Sequence, residues 1–293
     1  MIKQKIRTLI DSRISEEGLT ETGIQGVRLF KVTHAIPCAP AVYEPTVVVI
    51  LSGRKEAILD GERYVYDSNQ YLCCSVSMPV EAGIPDASPQ EPLLGVTISL
   101  DTKVMTELAI QIESANGAVK HSVSGSQPQG LALAYWDETF AEALLRLLEL
   151  GDDRTALLIL GEGRLRELYY AVLQGGAGLS VRRAFGIGNE IARSIEYLAD
   201  NLGNNITIED LASRVGMSRA VFHRKFKQAT RMSPIQFMKS MRLNNAAMKI
   251  ATGMNVSQAA MAVGYVSSSQ FSREFKRMYG RSPKQWSQSK PLL

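Results

Sequence analysis

The sequence predicts an α+β protein of more than one domain. An N-terminal sandwich or barrel of strands is followed by helices, and then by an all-α C-terminal part with two helix-turn-helix motifs. Three observations predict this. Between residues 27 and 100, short strand-like runs alternate with turn signals, the pattern of a sandwich or barrel. From residue 102 onward, apolar residues recur at helical spacing. Over the last hundred residues, the second half repeats the first.

The chain has 293 residues, of which 45% are hydrophobic and 21% charged. That is long enough for two apolar cores and excludes disorder along the whole length. The longest apolar run, residues 155–160, falls far short of the roughly 18 residues needed to span a bilayer. The first residues lack the apolar segment and small-residue cleavage site of a signal peptide. Three cysteines, two of them adjacent (Cys73 and Cys74), cannot form a disulfide framework; they predict a reducing cytosol and a cytoplasmic protein without a membrane partner. The three histidines His34, His121 and His223 lie far apart, with no paired-ligand spacing, so neither a structural metal nor a cofactor is expected.

Each element has its own signal. Residues 42–51 contain the β-branched run Val47-Val48-Val49-Ile50 and predict a strand. Ser52-Gly53-Arg54 predicts a turn, residues 56–59 a strand, and Asp60-Gly61 a tight hairpin turn into 63–66. Residues 71–76 and 93–100 continue in the same style. Residues 102–113 predict a helix, and the Ser-, Gly- and Gln-rich stretch 116–129 a loop. Two helices follow over 136–150 and 155–174; in the first, Phe140, Leu144, Leu147 and Leu148 share one stripe. Gly175-Gly176-Ala177-Gly178 predicts a helix end or linker, and the domain boundary is placed there, between 1–178 and 179–293.

Beyond it, Ile187, Ile191, Ile195, Leu198 and Leu202 form one helical face. Thr207, Ser218 and Ser233 are N-cap residues, the last followed by proline at the first helical position. A long helix over 234–251 is predicted to separate a first motif at about 207–228 from a second at about 255–279. Val215-Gly216 matches Val263-Gly264 at an offset of 48; Ser218, Phe222, Arg224, Phe226, Lys227 and Ser233-Pro234 match partners 49 residues on. One residue is inserted between glycine and capping serine. In each copy a short helix stops at glycine, serine caps the next helix, and two aromatics four apart pin that helix to a core.

Charge separates the two parts. Residues 187–293 carry 16 Lys and Arg against 6 Asp and Glu, a net +10; residues 1–186 carry a net −6. Between Arg214 and Arg231 there are six cations and no acid. A solvated helical face interleaves signs, so this run points to a polyanion, double-stranded DNA.

The two copies, Gly216-Met217-Ser218 with Phe222 and Phe226, and Gly264-Tyr265 with Ser267, Ser269-Gln270-Phe271-Ser272-Arg273-Glu274-Phe275-Lys276, resemble the AraC/XylS family of transcription regulators. Tyr43-Glu44-Pro45, Leu51-Ser52-Gly53-Arg54-Lys55, Gln70-Tyr71-Leu72 and Met78-Pro79-Val80 resemble the N-terminal domain of one of its subgroups. The resemblance implies a cupin-like barrel plus helices that senses a small-molecule effector or mediates dimerisation. It implies a homodimer and a sequence-specific regulator of transcription, with RNA polymerase as a further partner. It places Ala220, His223 and Arg224 of the first recognition helix at the bases, and Ser268, Ser269, Ser272 and Arg273 of the second. Residues 220, 223, 224 and 227 share one helical face, away from Phe222 and Phe226. Arginine can bond guanine O6 and N7 together, whereas Lys227 and Lys276 suit phosphates. For either arginine the alternatives are a phosphate contact or an internal salt bridge. At Ala220 only an apolar contact, such as a thymine methyl, is open.

Two other classes of function fit the same organisation. A cupin-type small-molecule enzyme with an accessory DNA-binding domain would need two or three histidines and a carboxylate close together; His34 stands alone in the predicted strands, so no enzyme is expected. A regulator controlled by a protein partner would need no effector. Cys73 and Cys74 are neighbours on a strand and point to opposite faces; small buried hydrophobes are the plainer reading, redox sensing the sharper one.

Overall fold

The computed structural model describes residues 2–115, 130–186 and 189–288. The expected loop 116–129, with His121, lies outside the described residues, as does Ile187 of the predicted helical face.

The described residues open with helix α1 (Ile2–Arg13), followed by the strands β1 (Gly18–Glu21), β2 (Val27–Val32), β3 (Ile36–Tyr43), β4 (Thr46–Ser52), β5 (Arg54–Leu59), β6 (Glu62–Asp67), β7 (Gln70–Cys74), β8 (Met78–Ile84), β9 (Leu93–Ser99) and, after helix α2 (Thr102–Ala115), β10 (Leu131–Tyr135). They form two antiparallel sheets, β1-β2-β9-β4-β7-β10 and β3-β8-β5-β6. Asp60 and Gly61 both take left-handed backbone angles, φ 50° and 80°, as the two-residue hairpin between β5 and β6 requires.

The predicted strand 42–51 is two strands. Tyr43 ends β3 and Thr46 starts β4, and the chain changes sheet at Glu44-Pro45. Proline has no N–H for the ladder, so the run cannot continue through it. The unbroken hydrophobicity of β4 also has a cause. Val47, Val49 and Leu51 point into one apolar cluster, Val48 and Ile50 into another. A strand buried on both faces does not alternate polar and apolar residues.

Helices cover the outer face of the six-stranded sheet. Helix α3 (Glu138–Glu149) is capped by Asp137, and α4 (Arg154–Gln174) by Asp153. The predicted stripe Phe140, Leu144, Leu147 and Leu148 is fully buried there, beside Ile6 and Ile10 of α1. A further helix, α5 (Gly178–Phe185), follows the glycine-rich stretch, and its Val181, Ala184 and Phe185 join the same cluster.

The described residues beyond α5 form the helices α6 (Glu190–Asp200), α7 (Ile208–Arg214), α8 (Arg219–Thr230), α9 (Pro234–Ala251), α10 (Val256–Ala262), α11 (Ser268–Tyr279) and α12 (Pro283–Ser287). Thr207 with Asp210, Ser233 with Gln236 and Ser282 with Gln285 form reciprocal capping boxes. Helix α9 packs on β3 and β8 of the smaller sheet. The cluster inside the two sheets runs on through α6, α7 and α8 to Phe237 and Met241 of α9, whereas α10 and α11 pack with the rest of α9 in a separate cluster around Phe271 and Phe275.

Candidate nucleic-acid interface

Helices α7–α8 and α10–α11 are the two helix-turn-helix units. Gly216 and Gly264, at φ 65° and 85°, make the left-handed step between the helices. At 264 glycine is required twice over, because a Cβ would sit 2.7 Å from the Leu202 carbonyl oxygen. Ser218 and Ser267 cap α8 and α11. Phe222 with Phe226, and Phe271 with Phe275, are fully buried, so the opposite face of each helix must face outward.

That outward face carries the expected residues. Ala220, His223, Arg224 and Lys227 are exposed on α8; Ser268, Ser269, Arg273 and Lys276 are exposed on α11, and Ser272 is half-buried beside them. Among the described residues, neither Arg224 nor Arg273 makes an ion pair or hydrogen bond within the protein. The inserted residue of the second copy is Val266, fully exposed in the turn before α11.

The run of six cations is not a uniform face. The Arg219 guanidinium lies 2.7 Å from Glu209. That of Arg214 lies over the Tyr197 ring at 3.9 Å. Arg231 pairs with Glu62 of the barrel. Arg224, Lys225 and Lys227 are the exposed cations of this run that make no ion pair or ring contact among the described residues. Sequence reading missed the pairing because Glu209 lies outside the counted stretch and Glu62 lies 169 residues away.

Glu274 braces the second unit. It accepts from the Tyr265 hydroxyl at 2.8 Å and pairs with Lys239 of α9 at 3.0 Å. Burial pushes its carboxyl up, but hydrogen bonds from Tyr265, Lys239 and Gln270 outweigh burial and hold it below its ordinary value. The 49-residue offset places cationic Lys225 at the matching position in the first copy, so the two units are braced differently.

Away from this face, a cavity of about 310 Å³ lies between β3, β8, α9 and α12. Ile36, Ala82, Met248 and Trp286 give it apolar walls, and Lys55 and Arg281 bring one cation from each part of the chain. A larger cleft of about 1010 Å³ between α2 and α6 is lined by Asp101, Lys103, Arg193 and Glu196 among others. Its charges suit water better than an apolar molecule. His34 lies 2.8 Å from Glu17 on the surface. Cys73 and Cys74 do point to opposite faces, one toward the helices and one into the barrel, both fully buried. No described helix is long and apolar enough to cross a membrane.

Comparison with known proteins agrees with this geometry. Residues 23–179 match the family model for the AraC-type transcriptional regulator N-terminus, and residues 211–289 match a helix-turn-helix domain. The chain is 34% identical over 97 residues to the raffinose operon transcriptional regulatory protein RafR of Pediococcus pentosaceus, covering 33% of this chain and 35% of that protein. It is 36% identical over 83 residues to the regulator AlkR of Acinetobacter baylyi, covering 28% and 27%. The matches thus span about a third of these curated relatives. In fold, the chain is similar to ToxT of Vibrio cholerae strain SCE256 with an unsaturated fatty acid bound, with a TM-score of 0.56, 12% identity, and coverage of 94% of this chain and 97% of that one.

Proposed function

The chain belongs to the AraC-type transcriptional regulators, and from that premise we propose that it binds a specific double-stranded DNA site with both helix-turn-helix units and regulates transcription there. The observation that carries the proposal is the repeat itself. Two helices offer Arg224 and Arg273 outward at the same motif position, each free of internal partners among the described residues. The arginines, with Ala220, His223, Ser268, Ser269 and Ser272, read bases; Lys227 and Lys276 hold phosphates. Helix α9, 18 residues long, is roughly 27 Å at 1.5 Å per residue. It can set the two recognition helices near one duplex turn apart, about 34 Å.

Residues 1–178 act as the sensing and oligomerisation part, and 179–293 as the DNA-binding part. The effector site is the apolar cavity with Lys55 and Arg281. Its two cations and apolar walls suit an acid with an apolar tail, and the fatty acid named for ToxT is of that class. A homodimer is proposed through the first half of α4, where Leu158 and Ile159 are 80% and 74% exposed. RNA polymerase is the partner through which a DNA-bound regulator acts, and the compartment is the cytoplasm.

The test is selection of duplexes from a random pool by the full chain at physiological salt. Two short selected blocks about ten base pairs apart are expected. A folded protein that enriches no sequence overturns the proposal.

A further inference from the structure

Helix α9 is mostly apolar, yet it carries asparagine in its middle, at 244 and 245. Asn244 is 2% exposed. A buried carboxamide has two N–H donors and a carbonyl acceptor to satisfy. Its Nδ2 donates to the Ala41 oxygen at 2.8 Å and the Val80 oxygen at 3.0 Å. Ala41 and Val80 face each other in the register of β3 and β8, so the amide clips two barrel strands at one pair. Its Oδ1 accepts from the Tyr279 hydroxyl at 2.6 Å. Tyr279 is the last residue of α11, and its ring meets Phe275 edge to face and lies tilted against Trp286. One side chain therefore touches the barrel, the linking helix and the second recognition helix.

The two units need different attachments. The first shares a continuous apolar cluster with the barrel interior; the second has a cluster of its own. At the position of Tyr279, the first copy has Thr230, whose hydroxyl donates to Phe226 of its own helix. A helix of this motif thus packs without reaching Asn244, and the tyrosine is particular to the copy that lacks a shared core.

We propose that Asn244 and Tyr279 form a clamp through which strands β3 and β8 hold the second recognition helix in register with the first, so that the barrel sets the spacing between the two DNA blocks the chain accepts. Both are positioning residues, since Asn244 is buried and the Tyr279 hydroxyl is turned inward to it, away from the face assigned to DNA. The proposal rests on the DNA-binding reading above. Each base pair added between the blocks moves the second block about 3.4 Å along the duplex and rotates it around the axis. A held helix discriminates against that shift, and a released one follows it.

The experiment uses the full chain and the duplex selected from a random pool, with its blocks at the selected separation and moved by one or two base pairs either way. Tyr279→Phe removes one hydroxyl and keeps the ring. The ratio of affinities between selected and shifted spacing should shrink about two- to tenfold, the worth of one hydrogen bond, while affinity for a duplex carrying one block is unchanged. Asn244→Asp, which loses both donors to the barrel, should shrink the ratio further. If that variant does not fold, Tyr279→Phe alone decides. Equal loss at every spacing, or an unchanged ratio, overturns the clamp. A wild-type chain that binds single blocks yet shows no preferred spacing also overturns it, and one that selects no DNA removes the reading on which it rests.

Discussion

Arg224 and Arg273 stand 49 residues apart at one position of a repeated motif, on the exposed faces of α8 and α11. Lys227 and Lys276 lie one helical turn further on in the same two helices. Arg224→Ala should cost about 1–3 kcal/mol on the preferred site and relax base choice in one block only; Arg273→Ala should relax the other. Lys227→Ala and Lys276→Ala should weaken all sequences alike and each lower the salt slope by about one. Affinities against a panel of single-base changes separate the two behaviours. If a lysine variant alters base preference while its arginine neighbour shifts every sequence equally, the groove-facing side of the helix is assigned wrongly.

The two cysteines should respond unequally to serine. Burial pushes the Cys73 thiol up to about 12, and among the described residues it makes no hydrogen bond that a serine hydroxyl could inherit. Cys74 donates to the Val76 oxygen at 3.1 Å, which a serine hydroxyl can inherit. Cys73→Ser should therefore lose about 1–3 kcal/mol of stability and Cys74→Ser less, with DNA binding retained by both. Urea unfolding measures the order. A DNA-binding response to oxidant that either substitution abolishes would reverse the structural assignment.

Lys55 and Arg281 reach one apolar cavity from two parts of the chain. Oleate should bind the full chain, and Lys55→Gln and Arg281→Gln should each weaken it by about 1 kcal/mol. Methyl oleate, which lacks the charge, should not distinguish the variants from wild type. Calorimetric titration in which oleate ignores both substitutions would move the effector site elsewhere.

The exposed half of α4 is tested by charge. Leu158→Glu and Ile159→Glu should convert a dimer to a monomer in sedimentation velocity, with thermal stability kept within about 0.5 kcal/mol, because neither side chain is buried within one chain. A wild-type protein that sediments as a monomer at micromolar concentration, or a dimer indifferent to both changes, excludes this face.

Glu274 predicts a pH dependence. Hydrogen bonds hold its folded pKa below the ordinary value of about 4.3. Its contribution to stability is therefore complete above that value and is lost as pH falls through the folded pKa. Glu274→Gln should lower the melting temperature at pH 7, and the gap between variant and wild type should close below about pH 4. A gap that stays constant down to that range would show that ionisation of Glu274 contributes nothing.

What the sequence determined by itself is local or periodic. The caps at Thr207, Ser218, Ser233 and Ser282, the left-handed steps at Gly216 and Gly264, the Asp60-Gly61 hairpin and the paired phenylalanines are each set by residues within a few positions. The repeat doubled that signal, so the two units and their outward faces were legible before any contact was known. The run 42–51 was misread as one strand although Pro45 marked the break, because hydrophobicity alone does not tell a continuous strand from two that enter different sheets. Only the tertiary structure decided which cations are consumed by Glu209, Tyr197 and Glu62, which of the stripes on α3 and α4 is buried, and that Asn244 joins the barrel to α11. The partners of Asn244 lie 203 and 164 residues away on one side and 35 on the other. Local propensity carries no trace of such pairs, since they form only where two independently specified surfaces meet and a buried amide must find every one of its hydrogen bonds there.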